Sequence, residues 1–171
     1  MVIDTTHKFQ SLNDMQGHLD NGAQRVVISA VPADHIDRLV IPGINEGSAS
    51  SEDRMVSAGS ATTVALALVL KVLSDEMAIE AASLTSVHAY TSDQPVQDYA
   101  GKDFRRSRSG AENIIPNTIV SIPWVERVLP SLAGKLGGHA LNVPVQKGSL
   151  LDLNIVFEKG TSASTRLMRP W

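Results

Sequence analysis

The sequence predicts an α/β (α+β) fold in which helices pack against a mixed, largely antiparallel sheet. Near the N-terminus, short apolar runs alternate with a helical pattern, which is typical of a β-α-β unit. Near the C-terminus, two strand-like runs at 141–145 and 150–157 are joined by a tight turn at 146–148. A long apolar helix occupies the middle of the chain. The 171 residues suit one domain of ordinary size with a hydrophobic core.

Four elements are predicted in the N-terminal quarter of the chain. Residues 25–30 form a continuous apolar run, which is typical of a buried strand. Ser11 is a candidate cap for a helix that ends at Asn21 and carries apolar residues on one face. Short strands are predicted at 2–4 and 38–42, and a polar loop follows.

The central helix is predicted to begin at a polar turn and to be buried on most of its faces. Ser60 stands directly before the apolar run 64–73, at the position of a helix N-cap. The run is apolar on every side of the helix except at Lys71, which favours burial of most of its faces. A helix N-terminus collects free backbone N–H groups, so Ser60, Thr62 and Thr63 are candidates for binding an anion or oxyanion. A plain helix cap explains the same residues.

The strand that follows this helix carries the candidate catalytic residue, His88. Alternation along a strand places His88 on the same face as Ser86 and Tyr90. Imidazole titrates near neutrality and can act as a general acid or base. We expect His88 and the start of the central helix to meet at one site. The alternatives are a buried structural role for His88 and core packing for Tyr90.

A long polar segment, residues 91–113, follows His88. Its arginines at 105, 106 and 108 have the geometry to bind a carboxylate or phosphate in bidentate fashion. A solvated or intersubunit ion-pair network explains the same residues. Further along, a strand is predicted at 114–122, a short helix at 124–129 after Pro123, and a Ser/Thr-rich tail at 160–171.

Composition excludes several classes of function. The formal net charge is -3 and the pI is about 5.9, which argues against nucleic-acid binding and membrane-surface binding. The chain has no cysteine, which rules out disulfides, thiolate metal sites and cysteine catalysis. Its histidines are scattered, so no metal site is predicted. No apolar run reaches membrane-spanning length and no signal pattern opens the chain, so we expect a cytoplasmic protein.

Two motifs resemble the phosphorylating glyceraldehyde-3-phosphate dehydrogenases. Ser57-Ala-Gly-Ser-Ala-Thr-Thr63 resembles the family's nucleophile motif, Ser-Asn-Ala-Ser-Cys-Thr-Thr-Asn. Leu84-Thr-Ser-Val-His-Ala-Tyr-Thr91 resembles its catalytic-histidine strand, and the spacing between the motifs fits. Ala61 stands where the family has its cysteine. Because the family forms a thiohemiacetal and then a thioester at that sulfur, this chain is expected to lack that chemistry.

The resemblance covers about residues 2–159 and implies a truncated catalytic domain. It divides the chain into a β-α-β remnant of the dinucleotide domain at 1–56, a catalytic-like domain at 57–159 and a tail at 160–171, packed as one compact unit. The family's glycine-rich phosphate turn is absent from the sequence. We therefore expect neither a nicotinamide cofactor nor any other cofactor.

The resemblance also implies roles for single residues. Thr91 matches a threonine that contacts the substrate phosphate, and the segment 91–113 matches a loop with an arginine at the inorganic-phosphate site. Asn142 stands where the family has an arginine that holds the substrate phosphate. Ile119-Val120 replaces a Thr-Gly pair, so a more apolar pocket, lined by Tyr90, is expected in place of a triose-phosphate site.

Two hypotheses about function remain open at this point. The first is a repurposed, non-redox enzyme of a specialised biosynthetic pathway, of the isomerase, cyclase or lyase type. It would act on a small molecule with His88 as acid or base. The second is a catalytically silent relative that binds a full-length dehydrogenase or a pathway enzyme. In both, a sheet with an unpaired edge favours a homo-oligomer.

Overall fold

Residues 1–158 are described by the computed structural model, and they divide into two units. The first contains Met1–Glu76 and Val120–Ala133, and the second contains Met77–Ile119 and the described residues from Gly134 onward. The predicted boundary at 56/57 falls inside the first unit. The division into a dinucleotide-domain remnant and a catalytic-like domain stays a prediction. The predicted tail at 160–171 lies outside the described residues.

The first unit contains a parallel sheet with the strand order β1-β2-β4-β3. Its strands are β1 (Val2–Asp4), β2 (Val26–Ile28), β3 (Arg38–Leu39) and β4 (Met55–Ser57). Helix α1 (Leu12–Asp20) connects β1 to β2, which run parallel, so the predicted β-α-β beginning is confirmed. Its buried side chains join the strands in one core, which contains Met15, Leu19, Val26, Ile28, Ile36 and Met55.

Ser11 caps the start of helix α1, as predicted. The Ser11 hydroxyl accepts a hydrogen bond from the Asp14 N–H at 3.1 Å, and the Asp14 carboxylate accepts one from the Ser11 N–H at 3.2 Å. This reciprocal capping box satisfies two donors that a helix start otherwise leaves unpaired. Hydrogen bonds from Ser11 to the Asp14 carboxylate, first from its side chain and then from its backbone N–H, lower the pKa of Asp14.

Strand β4 was not predicted, although it lies between β2 and β3 in the sheet. It is three residues long and lies between a polar loop and the motif that begins the central helix. Its last residue, Ser57, is fully buried, and its hydroxyl donates to the Ala30 carbonyl at 2.6 Å. A buried serine bonded to distant backbone leaves no apolar pattern in the sequence, which explains the omission.

Helix α2 (Ala61–Glu76) is not buried on most of its faces, so that expectation is wrong. Leu66 and Leu70 are buried, but apolar side chains on another face are exposed by 38% to 52%, namely Leu68, Val69 and Val72. The apolar run predicted the helix, but it does not specify how many sides the rest of the chain covers. Helix α3 (Ile122–Val128) has Pro123 in its first turn, as predicted.

The second unit contains a sheet with the strand order β6-β7-β5-β8. Its strands are β5 (Ile79–Ala89), β6 (Ile115–Asn117), β7 (Leu136–Val143) and β8 (Ser149–Phe157). Strand β5 runs parallel to β7, whereas the β5–β8 and β6–β7 pairs are antiparallel. The sheet is therefore mixed and largely antiparallel, and the predicted fold class is confirmed.

Two details of this second sheet differ from the prediction. Strands β7 and β8 follow each other in the chain, but β5 lies between them, so the turn at 146–148 does not join neighbouring strands. A turn motif predicts that the chain reverses, but it does not predict which strand lies next to it. The predicted strand at 114–122 is confined to Ile115–Asn117, because the chain turns into α3 from residue 122.

The ion pair between Arg38 and Asp53 gives the first unit a pH-dependent stability. The Arg38 guanidinium donates to both Asp53 carboxylate oxygens at 3.1 and 3.2 Å, and the Ser50 N–H donates to one of them at 2.7 Å. The bonds from Arg38, then that from Ser50, lower the pKa of Asp53. A carboxyl whose pKa is lowered on folding stabilises the protein above its unfolded pKa of about 3.9 and loses this effect on acidification.

We therefore expect Asp53→Asn to lower the midpoint of urea unfolding at pH 7, because Arg38 loses its charged acceptor. The gap between wild type and variant should narrow as the pH falls below about 4, because the unfolded wild-type chain then binds a proton at Asp53 that the folded chain takes up only at lower pH. Urea melts at pH 7 and at pH 3 measure this gap. A gap of equal size at both pH values would contradict the assignment.

Candidate functional site

His88 lies near the carboxyl end of β5 and is held from two sides by serine hydroxyls. The Ser86 hydroxyl lies 2.6 Å from Nε2, and the Ser149 hydroxyl lies 3.2 Å from Nδ1. Ser86 and His88 share one face of β5, as alternation predicted. Ser149 is the residue of β8 that stands opposite His88 in the strand register. Both ring nitrogens therefore have a hydroxyl group within hydrogen-bond distance.

The two hydroxyls place the ring nitrogens in different surroundings. Ser86 is fully buried, so Nε2 faces the interior of the sheet's packed face. Ser149 is exposed, and its contact with Nδ1 is longer, so Nδ1 is the nitrogen that a ligand can reach. A hydroxyl can donate or accept a hydrogen bond. Ser86 can therefore support either neutral tautomer, leaving Nδ1 with or without its proton.

Asn142 stands next to His88 in the register of β5 and β7, and its amide is tied into the sheet. Its Nδ2 donates to the Ala89 carbonyl at 3.3 Å, and its Oδ1 accepts a hydrogen bond from Asn117 Nδ2 at 3.3 Å. The residue is 8% exposed. Strand alternation thus gathers polar side chains on one face, and we call them the His88 cluster: Ser86, His88, Asn117, Asn142 and Ser149.

Two members of the His88 cluster, Asn117 and Ser149, were not identified from the sequence. Ser149 follows the turn glycine Gly148, and Asn117 ends a three-residue strand. Neither position belongs to a motif. What brings them to His88 is the pairing of β8 with β5 and of β6 with β7, which depends on distant parts of the chain. The cluster contains no lysine or arginine, so its chemistry suits hydrogen bonding better than phosphate binding.

Tyr90 and Thr91 follow directly after β5. Tyr90 is half-buried, and its N–H donates to the Val145 carbonyl at 3.3 Å. Its Cβ lies close to Gly110, where an added Cβ would come within 3.2 Å of it. Thr91 is exposed, and its hydroxyl donates to the Asp93 carboxylate while its N–H donates to Gln94 Oε1 at 3.0 Å. Thr91 thus stabilises a turn, and its predicted phosphate contact stays a prediction.

The arginines of the long loop have separate environments. Arg106 pairs with Asp93 at 2.8 Å, and Arg108 pairs with Asp98 at 3.2 Å. All four side chains are exposed, and pairs of this kind contribute little to stability. Arg105 and Arg108 line an open cavity of about 370 Å³, whose other walls are mainly apolar and include Phe104, Ile114, Ile115 and Pro116. Anion binding by Arg105, Arg106 and Arg108 stays a prediction.

At the start of α2, the serine and threonine hydroxyls bond to one another. The Ser60 hydroxyl accepts from the Thr63 N–H at 3.2 Å and lies 2.8 Å from the Thr63 hydroxyl. Thr63 is fully buried and Thr62 is half-buried. Ser60 therefore caps the helix, as the sequence predicted. This helix start belongs to the first unit and His88 belongs to the second, so their meeting at one site stays a prediction.

No group of three or more histidine, aspartate and glutamate side chains is arranged to hold a metal ion in residues 1–158. Among the helices of that range, none is long and apolar enough to cross a bilayer.

Comparison with known proteins gives one consistent result. Residues 60–165 match the family model described as glyceraldehyde 3-phosphate dehydrogenase, C-terminal domain. A glyceraldehyde-3-phosphate dehydrogenase of Mycobacterium avium is 41% identical over 162 residues, which are 95% of this chain and 48% of that protein. Glyceraldehyde-3-phosphate dehydrogenase 1 of Streptomyces arenae is 41% identical over 95% of this chain and 49% of its own length. The chain thus spans about half the length of these relatives.

Proposed function

The chain belongs to the glyceraldehyde-3-phosphate dehydrogenase family, and from that premise we propose that it is a non-redox enzyme that uses His88 for acid–base chemistry. The observation that carries the proposal is the ring of His88 between two serine hydroxyls, 2.6 and 3.2 Å away, with Nδ1 on the accessible side. The chain has alanine at position 61 and no cysteine at all. A thioester step is therefore excluded, whereas proton transfer needs only the imidazole.

The proposed chemistry is a proton transfer at carbon next to a carbonyl group. In the tautomer with the proton on Nε2, Ser86 accepts that proton in a hydrogen bond and Nδ1 takes a proton from the substrate. The electron pair of the broken C–H bond forms a C=C bond while the π pair of the carbonyl group moves onto its oxygen, which gives an enolate. Return of the proton to a different carbon or to the oxygen of the enolate completes an isomerisation. A cyclase or a lyase reaction can proceed from the same enolate. Ser149 holds Nδ1 when no substrate is bound.

The environment of His88 supports an uncharged reacting group. The His88 cluster offers hydroxyls and amides but no cation, and Asn142 is bonded to the backbone of Ala89. A phosphate group near His88 would lack an arginine or lysine within this cluster. We therefore propose a small carbonyl compound of a specialised biosynthetic pathway as the substrate class, in place of a triose phosphate.

We propose separately that the start of α2 binds an anion. Because the hydroxyls of Ser60 and Thr63 bond to each other, an anion here would be bound by the backbone N–H groups of the first turn, at Ala61 and Thr62. The exposed Ala61 leaves that turn open on one side.

The second candidate function is a catalytically silent binding partner, and one observation favours it. Both nitrogens of His88 already have hydroxyl partners within the chain, as a purely structural histidine requires.

A hydrogen–deuterium exchange experiment on small carbonyl compounds separates the two candidate functions. Acetone, hydroxyacetone and glyceraldehyde are incubated with the protein in D₂O, and loss of the proton next to the carbonyl is followed by NMR. Exchange faster than in buffer supports the enzyme, and exchange no faster than in buffer supports the binding partner.

We expect no dehydrogenase activity from this chain or from its Ala61→Cys variant. The substitution restores a thiol at the start of α2, but the 171 residues contain no Gly-x-Gly-x-x-Gly turn to hold a dinucleotide. Calorimetric titration with NAD and an assay of NADH formation from glyceraldehyde 3-phosphate measure this directly. Micromolar NAD affinity with turnover in either protein would refute the prediction.

A further inference from the structure

Among the strands of residues 1–158, β8 lies at the edge of its sheet over its whole length. It pairs with β5 on one side, and on its other side no strand of residues 1–158 is bonded to it. The Gly148 carbonyl accepts from the Ala89 N–H, and the Glu158 N–H donates to the Ala78 carbonyl. Even-numbered residues of β8 therefore direct their backbone groups toward β5. The odd-numbered residues direct theirs outward, because the two directions alternate along an antiparallel strand.

The side chains of β8 alternate between the two faces of the sheet with the same two-residue period. Leu151, Leu153 and Ile155 lie half-buried on the face that carries His88. The opposite face is exposed, and it carries Leu150, Asp152, Asn154 and Val156. Leu150 is 61% exposed and Val156 is 55% exposed. A long edge with outward N–H and C=O groups and apolar side chains is a template for pairing with another strand.

We propose that β8 pairs in antiparallel fashion with β8 of a second copy of this chain, about a two-fold axis at Leu153. This register sets outward-directed residues opposite each other, with Leu153 facing Leu153, and Leu151 facing Ile155 of the second copy. Each such pair exchanges two backbone hydrogen bonds, about ten in all for the five pairs from 149 to 157. The two four-stranded sheets thereby join into one sheet.

The side chains of β8 are self-complementary in this register. On the exposed face, Leu150 meets Val156 of the second copy, which buries an apolar pair at each end of the strand. Asp152 meets Asn154 of the second copy, whose amide can donate to the carboxylate. Cross-strand apolar pairs and hydrogen-bonded pairs stabilise a sheet, whereas like charges directly opposite destabilise it.

Other registers fit less well. Moving the two-fold axis to position 152 sets the Asp152 carboxylates of the two copies directly opposite each other. Moving it to position 154 sets Asp152 against Val156. A slip by one residue brings even-numbered residues opposite odd-numbered ones, so the exposed face of one sheet would continue into the packed face of the other.

The test is the mass of the full 171-residue chain, by light scattering after size exclusion at micromolar concentration. Wild type is expected at twice the chain mass of 18.3 kDa. The double variant Leu150→Lys with Val156→Lys sets lysines opposite lysines and should weaken dimerisation at least about tenfold. The pair Leu150→Lys with Val156→Glu sets a lysine opposite a glutamate of the second copy and should restore the dimer.

Both positions are exposed, so these variants are expected to fold, and circular dichroism checks this. Val96→Lys is the matched control, since Val96 is an exposed apolar residue of a loop and should not affect the mass. A monomeric wild type would overturn the proposal. So would a double-lysine variant that stays dimeric, or a lysine–glutamate variant that is no more dimeric than the double-lysine variant.

Discussion

Replacing His88 by alanine is expected to lower the rate of proton exchange next to a carbonyl by about 10²–10⁴-fold, the usual contribution of general acid–base catalysis. The variant removes the only imidazole of the His88 cluster and leaves Ser86 and Ser149 without a ring to bond. His88→Gln keeps a hydrogen-bonding side chain but cannot transfer a proton. A rate close to wild type in His88→Gln would therefore indicate that the ring orients the substrate.

The matched control for this prediction is His139→Ala. His139 lies on β7, is exposed, and stands opposite Thr85 in the register, on the other face of the sheet from His88. Its removal should leave the exchange rate unchanged. Melting temperatures of all variants separate a loss of chemistry from a loss of folding. A folded His88→Ala protein with the wild-type rate would contradict the role proposed for His88.

Gly138→Ala is expected to be the most destabilising single methyl addition in the sheet of the second unit. Gly138 lies on β7 with φ +156°, and an added Cβ would come within 2.2 Å of the Leu84 carbonyl oxygen on β5. The neighbouring contacts, at 3.0 and 3.1 Å, are also backbone atoms of Leu84. Backbone cannot turn aside as a side chain can, so β5 and β7 must separate. We expect a loss of about 3 kcal/mol or more in the free energy of unfolding.

Gly137→Ala is the control for this substitution. It adds the same methyl group one position earlier on β7, where no atom lies within 4 Å of the new Cβ. Surface changes of this kind usually alter stability by less than about 0.5 kcal/mol. Urea unfolding of both variants measures the difference. Equal unfolding midpoints for the two would show that the close approach of β7 to Leu84 does not govern the stability of this sheet.

Features determined by neighbours in the sequence could be predicted. The capping box at Ser11 needs only Asp14, three residues later, and the cap at Ser60 needs only Thr63. The shared face of Ser86 and His88 follows from alternation within one strand. In each case, the residues that determine the structure lie within one turn of a helix or one step of a strand.

Features determined by distant packing could not be predicted. Strand β5 lies between β7 and β8 because both pair with it, and the turn at 146–148 contains no information about that order. Ser149 reaches His88 only through this register, 61 residues away in the chain. The exposed face of α2 is likewise a property of what packs around the helix. An apolar run predicts that the helix forms, but it does not predict which sides are covered.

The family assignment and the site combine into one account of the chain. The nucleophile motif has alanine at position 61, whereas the histidine strand keeps His88. Asn142, where the family has a phosphate-binding arginine by resemblance, is bonded to the backbone of Ala89 and to Asn117. The absence of a thiol at position 61 and of a cation in the His88 cluster, together with the imidazole of His88, is consistent with proton transfer on an uncharged carbonyl compound.

The most direct test of this account is chemical rescue of His88→Ala by free imidazole. Imidazole supplies the missing proton-transfer group, whereas it cannot replace a side chain that only supports the fold. With the probe that wild type exchanges fastest in D₂O, the rate of the folded variant should rise with imidazole concentration, after subtraction of the rate in imidazole without protein. His139→Ala should show no such rise. An unchanged rate in His88→Ala, while wild type catalyses the exchange, would contradict proton transfer by His88.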